Sequence, residues 1–132
     1  MKLKFFAILP LGLLLGLLAG VLPAVAHHSF AAEYDTKAPV ALKGVVTKIE
    51  WTNPHIYYYI DVKDENGSVS NWALEGYPPN TLRRVGFSRD LLKVGDAVSV
   101  TGWASRDGSK RAASRELTLP DGHKIFTGPP AQ

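Results

Sequence analysis

Glu50-Trp51-Thr52-Asn53-Pro54-His55-Ile56-Tyr57-Tyr58-Tyr59-Ile60-Asp61-Val62 decides how this chain folds. Tyr, Ile, Val and Thr suit a pleated, half-buried surface, and this run concentrates them. Pro54 removes a ladder donor and pushes Asn53 toward extended backbone, so Asn53-Pro54 reads as a corner rather than strand interior. One strand is therefore expected to end near Trp51 and another to begin at His55. In that second strand, His55 to Lys63, the residues Ile56, Tyr58, Ile60 and Val62 share one face, and His55, Tyr57, Tyr59 and Asp61 share the other. The histidine stands where corner becomes strand.

Upstream of the corner, Val40 to Trp51 reads as the first strand, preceded by an extended lead-in over Ala31 to Pro39 with Tyr34 as an anchor. Leu42 and Val46 lie on one parity; Val45, Ile49 and Trp51 lie on the other, with Gly44 between the sets. A phase change at a strand glycine marks a bulge or coil that lets one strand serve two sheets. Downstream, Asp64-Glu65-Asn66-Gly67 is a hairpin signal, followed by a third strand over Val69 to Glu75 with Trp72 and Leu74 on its apolar face. Asn80 is placed to cap a short helix over Thr81 to Val85, ended by Gly86, with a further helical turn over Ser88 to Leu92. Strands follow at Ala97 to Trp103 and Ala112 to Leu119, joined by Arg106-Asp107-Gly108-Ser109, and a short edge strand at Lys124 to Phe126.

Three strands, a short helix and two strands is the order of a five-stranded oligonucleotide/oligosaccharide-binding (OB) barrel. A glycine-bent first strand suits the closure of a small barrel. The expected class is all-β with one short helix, as a small OB-like barrel. A β-sandwich competes, but its seven strands are hard to find in this chain.

The N-terminal region has a different character. Lys2 and Lys4 precede an uncharged apolar run from Phe5 to Val25, and Ala24-Val25-Ala26 offers small residues where a signal peptidase reads them. Residues 1–26 are thus expected to be a signal peptide, entering as a helix and cut after Ala26. Residues 27–132 are expected to form one exported, periplasmic or secreted domain with no membrane attachment after the cut. An uncleaved anchor is the competing reading, since the run is long enough to span a bilayer; Pro10, Pro23 and the A-x-A site favour cleavage. The chain has no cysteine, so a core without disulfides must hold the fold. Its net charge of +3 falls to about +1 once Lys2 and Lys4 are removed. That balance lacks the basic excess expected of a nucleic-acid binder.

Cleavage gives His27 a free α-amine. Amine and imidazole Nδ1 can then chelate one metal ion, and a second imidazole across the site would complete a T-shaped nitrogen set favoured by Cu(II). His27, His28 and His55 are the candidate metal residues, with copper or another transition metal as the candidate cofactor. His55 is the better third ligand, because His27 and His28 are adjacent and their side chains diverge in extended backbone. The bland alternative is a polar chain end and a corner histidine that only hydrogen-bonds. Tyr57, Tyr59, Trp72, Glu75 and Arg84 are the candidate ligand-binding residues for a carbohydrate- or protein-interaction module built on an aromatic face. The competing account has the tyrosines covering a second small core, and Glu75 pairing with Arg83 or Arg84 to fix the helix. No nucleophile elbow, zinc-protease helix, phosphate loop or catalytic carboxylate pair occurs, so no catalytic residue is assigned.

Ala26-His27-His28-Ser29-Phe30 with Tyr34-Asp35, Glu50-Trp51-x-Asn53-Pro54-His55, Asn71-Trp72-x-x-Glu75, Pro79-Asn80-x-Leu82-x-Arg84-x-Gly86, Gly95-Asp96-x-Val98-x-Val100 and Arg106-Asp107-Gly108-Ser109 together resemble a family of small secreted bacterial proteins catalogued as a domain of unknown function. The match spans essentially all of the expected mature chain. Phe87 stands where the family pattern has Trp, which keeps the aromatic character. The resemblance implies export and a small barrel-like β domain, and implies no activity.

Overall fold

The computed structural model describes residues 29–129, so the expected signal peptide and His27 and His28 lie outside the described residues. Among the described residues no helix is long and apolar enough to cross a membrane. A one-turn helix α1 (Phe30–Glu33) leads directly into a long strand β1 (Tyr34–Glu50). Then come β2 (Tyr57–Lys63), β3 (Val69–Glu75), helix α2 (Pro79–Arg84), a single 3-10 turn (Arg89–Leu91), β4 (Ala97–Ser105), β5 (Arg111–Thr118) and β6 (Lys124–Phe126).

The strands lie in the order β3-β2-β1-β4-β5-β6, antiparallel throughout, and a short parallel pairing of β3 with β5 closes them into an uneven ring. Only Ala73 to Glu75 and Arg111 to Ala113 make that closing contact. The all-β class with a short helix expected from the sequence is what forms, mostly antiparallel, and the short edge strand expected at Lys124 to Phe126 is its sixth strand.

β1 is the strand that serves two partners. From Tyr34 to Val45 it pairs with β4, and from Val45 to Glu50 it pairs with β2. Gly44 sits at the exchange, where a Cβ would lie 2.4 Å from the Asp61 carbonyl oxygen. The change of apolar phase comes slightly later than expected: alternation holds through Val46, and the register slips between Val46 and Lys48. The glycine allows the close approach; the bulge at Thr47 turns the side chains over.

Three further boundaries differ from expectation. The lead-in is not uniformly extended, because Phe30–Glu33 makes a helical turn before β1 begins. β2 begins at Tyr57 rather than His55, since Ile56 donates to the Tyr77 carbonyl outside the sheet ladder. α2 begins at Pro79, so Asn80 lies inside the helix, and its side chain accepts from Arg83 instead of capping. Pro at the first helical position has no amide to leave unpaired, which makes it a natural start.

The ring interior holds Val46, Ile56, Tyr58, Ile60, Leu74, Leu82, Phe87, Val98, Val100, Ala112, Leu117 and Ile125 as one core. Trp51 stacks edge-on against Phe87 at 5.6 Å between ring centroids, so the corner residue and α2's trailing loop close one end together. At the centre a buried chain of hydroxyls, Tyr58 to Ser114 to Thr127, satisfies three polar groups with one another. A smaller second core of Tyr34, Trp103 and Ala113, with Phe30 over it, lies outside the ring beneath the N-terminal turn.

Candidate functional site

The corner at Asn53-Pro54 delivers His55 beside the last residue of β3. Tyr57 faces Glu75 across the β2–β3 ladder, so His55, two residues before Tyr57, falls on the same outer face. There His55 Nδ1 lies 2.5 Å from Glu75 Oε1. The other carboxylate oxygen, Oε2, accepts from the Tyr34 hydroxyl. Glu75 therefore links β3, the corner histidine and the start of β1 through one side chain.

Burial decides how strongly these groups interact. Glu75's side chain is only 13% exposed, whereas His55's is 43% exposed. Burial, then the hydrogen bond and the charge of Glu75, push the Tyr34 phenol well above its ordinary value. Burial and then Glu75 do the same to Tyr57. Both phenols stay protonated at any ordinary pH and can act as donors toward the carboxylate. Arg111 lies over the Tyr34 ring at 5.6 Å and pairs with Glu33 at 3.2 Å, adding a cation to the same neighbourhood.

The residues singled out from sequence do not all meet. His55, Tyr57 and Glu75 come together. Tyr59 shares their face but lies two residues further along β2, its hydroxyl donating to Glu50 and its ring beneath the Lys48 ammonium. Trp72 pairs with Ile60 and turns to the opposite, core-facing side, where Lys110 covers its ring at 5.1 Å. A continuous Tyr57–Tyr59–Trp72 platform is therefore excluded by register. Arg84 is exposed on the last turn of α2, and the expected Glu75–arginine pair is replaced by Glu75's bonds to Tyr34 and His55.

Sequence reasoning missed Tyr34's role in the site, together with Arg111 and Glu33. Tyr34 read as an anchor, and it is one, at 2% exposure. Its link to Glu75 depends on β1 reaching back past Pro39 to pair Tyr34 with Ser105, a contact between positions far apart in sequence. Among the described residues no three His, Cys, Asp or Glu side chains converge as a ready metal site. His55 with its carboxylate is instead one imidazole, oriented through Nδ1, and among the described residues its Nε2 makes no hydrogen bond.

A small antiparallel β domain closed by a short parallel pair, with an oriented histidine at its corner, is thus the class of protein defined here. The chain belongs to a family of unknown function, DUF6152, whose model matches residues 15–114. No curated protein and no solved structure gives a match.

Proposed function

We propose that this is an exported periplasmic binding domain, non-enzymatic, that holds a transition metal between the mature N-terminus and His55. Cleavage after Ala26 supplies the α-amine and Nδ1 of His27, His55 supplies Nε2, and Cu(II) suits the resulting nitrogen set. The observation that carries the proposal is the 2.5 Å contact between His55 Nδ1 and Glu75 in a side chain that is itself partly exposed. Metal-ligating imidazoles commonly present one ring nitrogen to the ion while a carboxylate holds the other, which fixes tautomer and ring orientation. Tyr34 holds that carboxylate in turn. His28 remains the alternative N-terminal imidazole for the same ion.

The scaffold we assign to this role is OB-like. The ring order β1-β2-β3-β5-β4, closed by a parallel β3–β5 pair with a helix between β3 and β4, supports that assignment, with β6 added at the β5 edge. A carbohydrate- or protein-interaction module keeps less support, because Trp72 turns away from Tyr57 and Tyr59.

The test is a Cu(II) titration of the processed protein beginning at His27, beside the same protein carrying one extra N-terminal Gly. The expected result is one tight site with nitrogen hyperfine structure in the first and an affinity at least about tenfold lower in the second. Glu75→Gln is expected to weaken binding by about 10- to 100-fold with the ligand atoms unchanged, as loss of an outer-sphere partner does. Equal affinity with and without the added Gly would overturn the chelate.

A further inference from the structure

Between β3 and β4 the chain crosses one end of the ring as a strip, Thr81 to Val94, whose pattern differs from that of the strands. Leu82, Phe87 and Leu92 turn inward at a spacing of five, and all the remaining residues of the strip are exposed. Backbone bonds fix the chain between these pins. Phe87 donates to the Leu82 carbonyl at 2.9 Å, Leu91 to Ser88 at 3.1 Å, and Gly95, just beyond, to Val46 of β1 at 2.8 Å. A Cβ added at Gly86 or Gly95 would meet nothing within 4 Å, so the backbone here borders open space.

Charge is concentrated on this strip. Arg83, Arg84, Arg89 and Lys93 are offset by Asp90 alone, a net +3. The rest of residues 29–129 carry nine Lys or Arg against eleven Asp or Glu, so the balance elsewhere is negative. Lys48, Arg106, Arg111 and Lys124 each pair with a carboxylate. Among the described residues none of the strip's four cations does so, and their one side-chain bond runs from Arg83 to the Asn80 amide oxygen at 3.3 Å. Val85, Leu91 and Val94 stand among these cations at 56%, 44% and 65% exposure. Only Val45, Val69 and Phe126 are comparably exposed large apolar residues elsewhere among the described residues.

We infer that Thr81 to Val94 is a docking surface for an anionic phospholipid membrane. Apolar area buried among the headgroups and attraction of Lys and Arg to anionic lipid are the two terms that hold a protein to such a surface, and the strip supplies both. The centre of a protein–protein interface is depleted of charge and rich in aromatic rings, whereas this strip interleaves aliphatics with charge and exposes no aromatic residue. Two surface cavities, one beside Trp103 and one beside Arg106, contain none of its residues. Because the strip is already fixed, docking orders little chain. The negative balance elsewhere turns the rest of the domain away from the lipid. This contact differs in kind from the anchor that cleavage after Ala26 would remove, being made by charge and reversed by salt. It is independent of the metal reading, since it uses neither His55 nor the chain before Ser29.

The experiment is vesicle sedimentation of the protein without residues 1–26, because the described ring has its own core and the apolar N-terminal run would itself enter lipid. Phosphatidylcholine vesicles containing about 30% phosphatidylglycerol should capture it, and pure phosphatidylcholine should not. Capture should be lost in about 0.5 M NaCl. Each cation near an anionic surface multiplies affinity by about fivefold, so Arg83→Gln with Arg84→Gln should weaken capture by about 25-fold. Val94→Ser should weaken it by about threefold or more through lost apolar contact. Lys37→Gln with Lys110→Gln removes the same charge at the far end of β4 and should leave affinity within about twofold of wild type. No capture of the wild type by anionic vesicles would overturn the assignment. An equal loss in the Lys37 and Lys110 variant would also overturn it, since net charge and not the strip would then be responsible. So would capture unchanged by the paired arginine substitutions. Binding of a polyglutamate peptide without any capture by vesicles would give these cations to an acidic protein instead, and the membrane assignment would fall.

Discussion

Glu75 and Asp107 are carboxylates of the same chemistry put to different uses by their neighbours. Glu75 is largely enclosed and holds Tyr34 and His55, whereas Asp107 is exposed and bonded within its own turn. The hydrogen bonds that Asp107 accepts, first from the Ser109 hydroxyl, then from the Ser109 backbone and Ser105, hold its carboxyl at about 2. In the unfolded chain the same group titrates near 4. The unfolded state therefore binds more protons between those values, and the stability contributed by Asp107 is present above pH ~4 and lost as pH falls toward ~2. Asp107→Asn should flatten that part of the stability–pH profile, read from urea midpoints at successive pH values. An unchanged slope between pH ~4 and ~2 would show that the turn does not hold the carboxylate as described.

β1 is the element on which the architecture turns. It feeds β4 with its first two-thirds and β2 with its last third, and Gly44 sits where the Asp61 carbonyl crosses it. A methyl group there would press on backbone, which cannot rotate away as a side chain would. Gly44→Ala is expected to cost about 1–3 kcal/mol by chemical denaturation, the range for overpacking a tight site. A loss below ~0.5 kcal/mol would mean that β1 and β2 can separate at the exchange without penalty. Much of this element was readable in advance, because alternation and a central glycine are local signals. The site of the phase change was not. Gly44 and Thr47 both interrupt the pattern, and only the pairing with Tyr59 and Ile60 assigns the slip to Thr47.

For the molecule as a whole, the shortest seam of the closed ring is the parallel pairing of β3 with β5, only three residues long. Leu74 sits at its middle, fully buried, opposite Tyr58 on one side and Ala112 on the other. Leu74→Ala should therefore lower stability by about 2–5 kcal/mol, as for other buried leucines whose cavity only partly collapses. With no disulfide available to limit the damage, the loss should appear in full in a urea titration. A drop under ~1 kcal/mol would indicate that the ring is held closed elsewhere. Opening this seam would also move Glu75, the last residue of β3, and so disturb His55 and Tyr34 together.

The division between what sequence and tertiary structure each determined follows the range of the interactions. The strands after the corner, the Asn66-Gly67 hairpin with its positive-φ glycine, and the helix stop at Gly86 rest on contacts within a few residues, and the sequence alone determined them. So did the shared face of His55 and Tyr57, which follows from a two-residue period. What Glu75 binds was decided only by folding. Arg83 and Arg84 are near it in sequence, but the β2–β3 register and the reach of β1 bring His55 and Tyr34 to its two oxygens instead. Trp72 was likewise assigned its side by register with Ile60, not by its aromatic character. The corner at Trp51 to His55 was legible as a turn because proline acts locally; the histidine's partner was not, because a carboxylate's choice among cations, imidazole and phenol is made by long-range geometry.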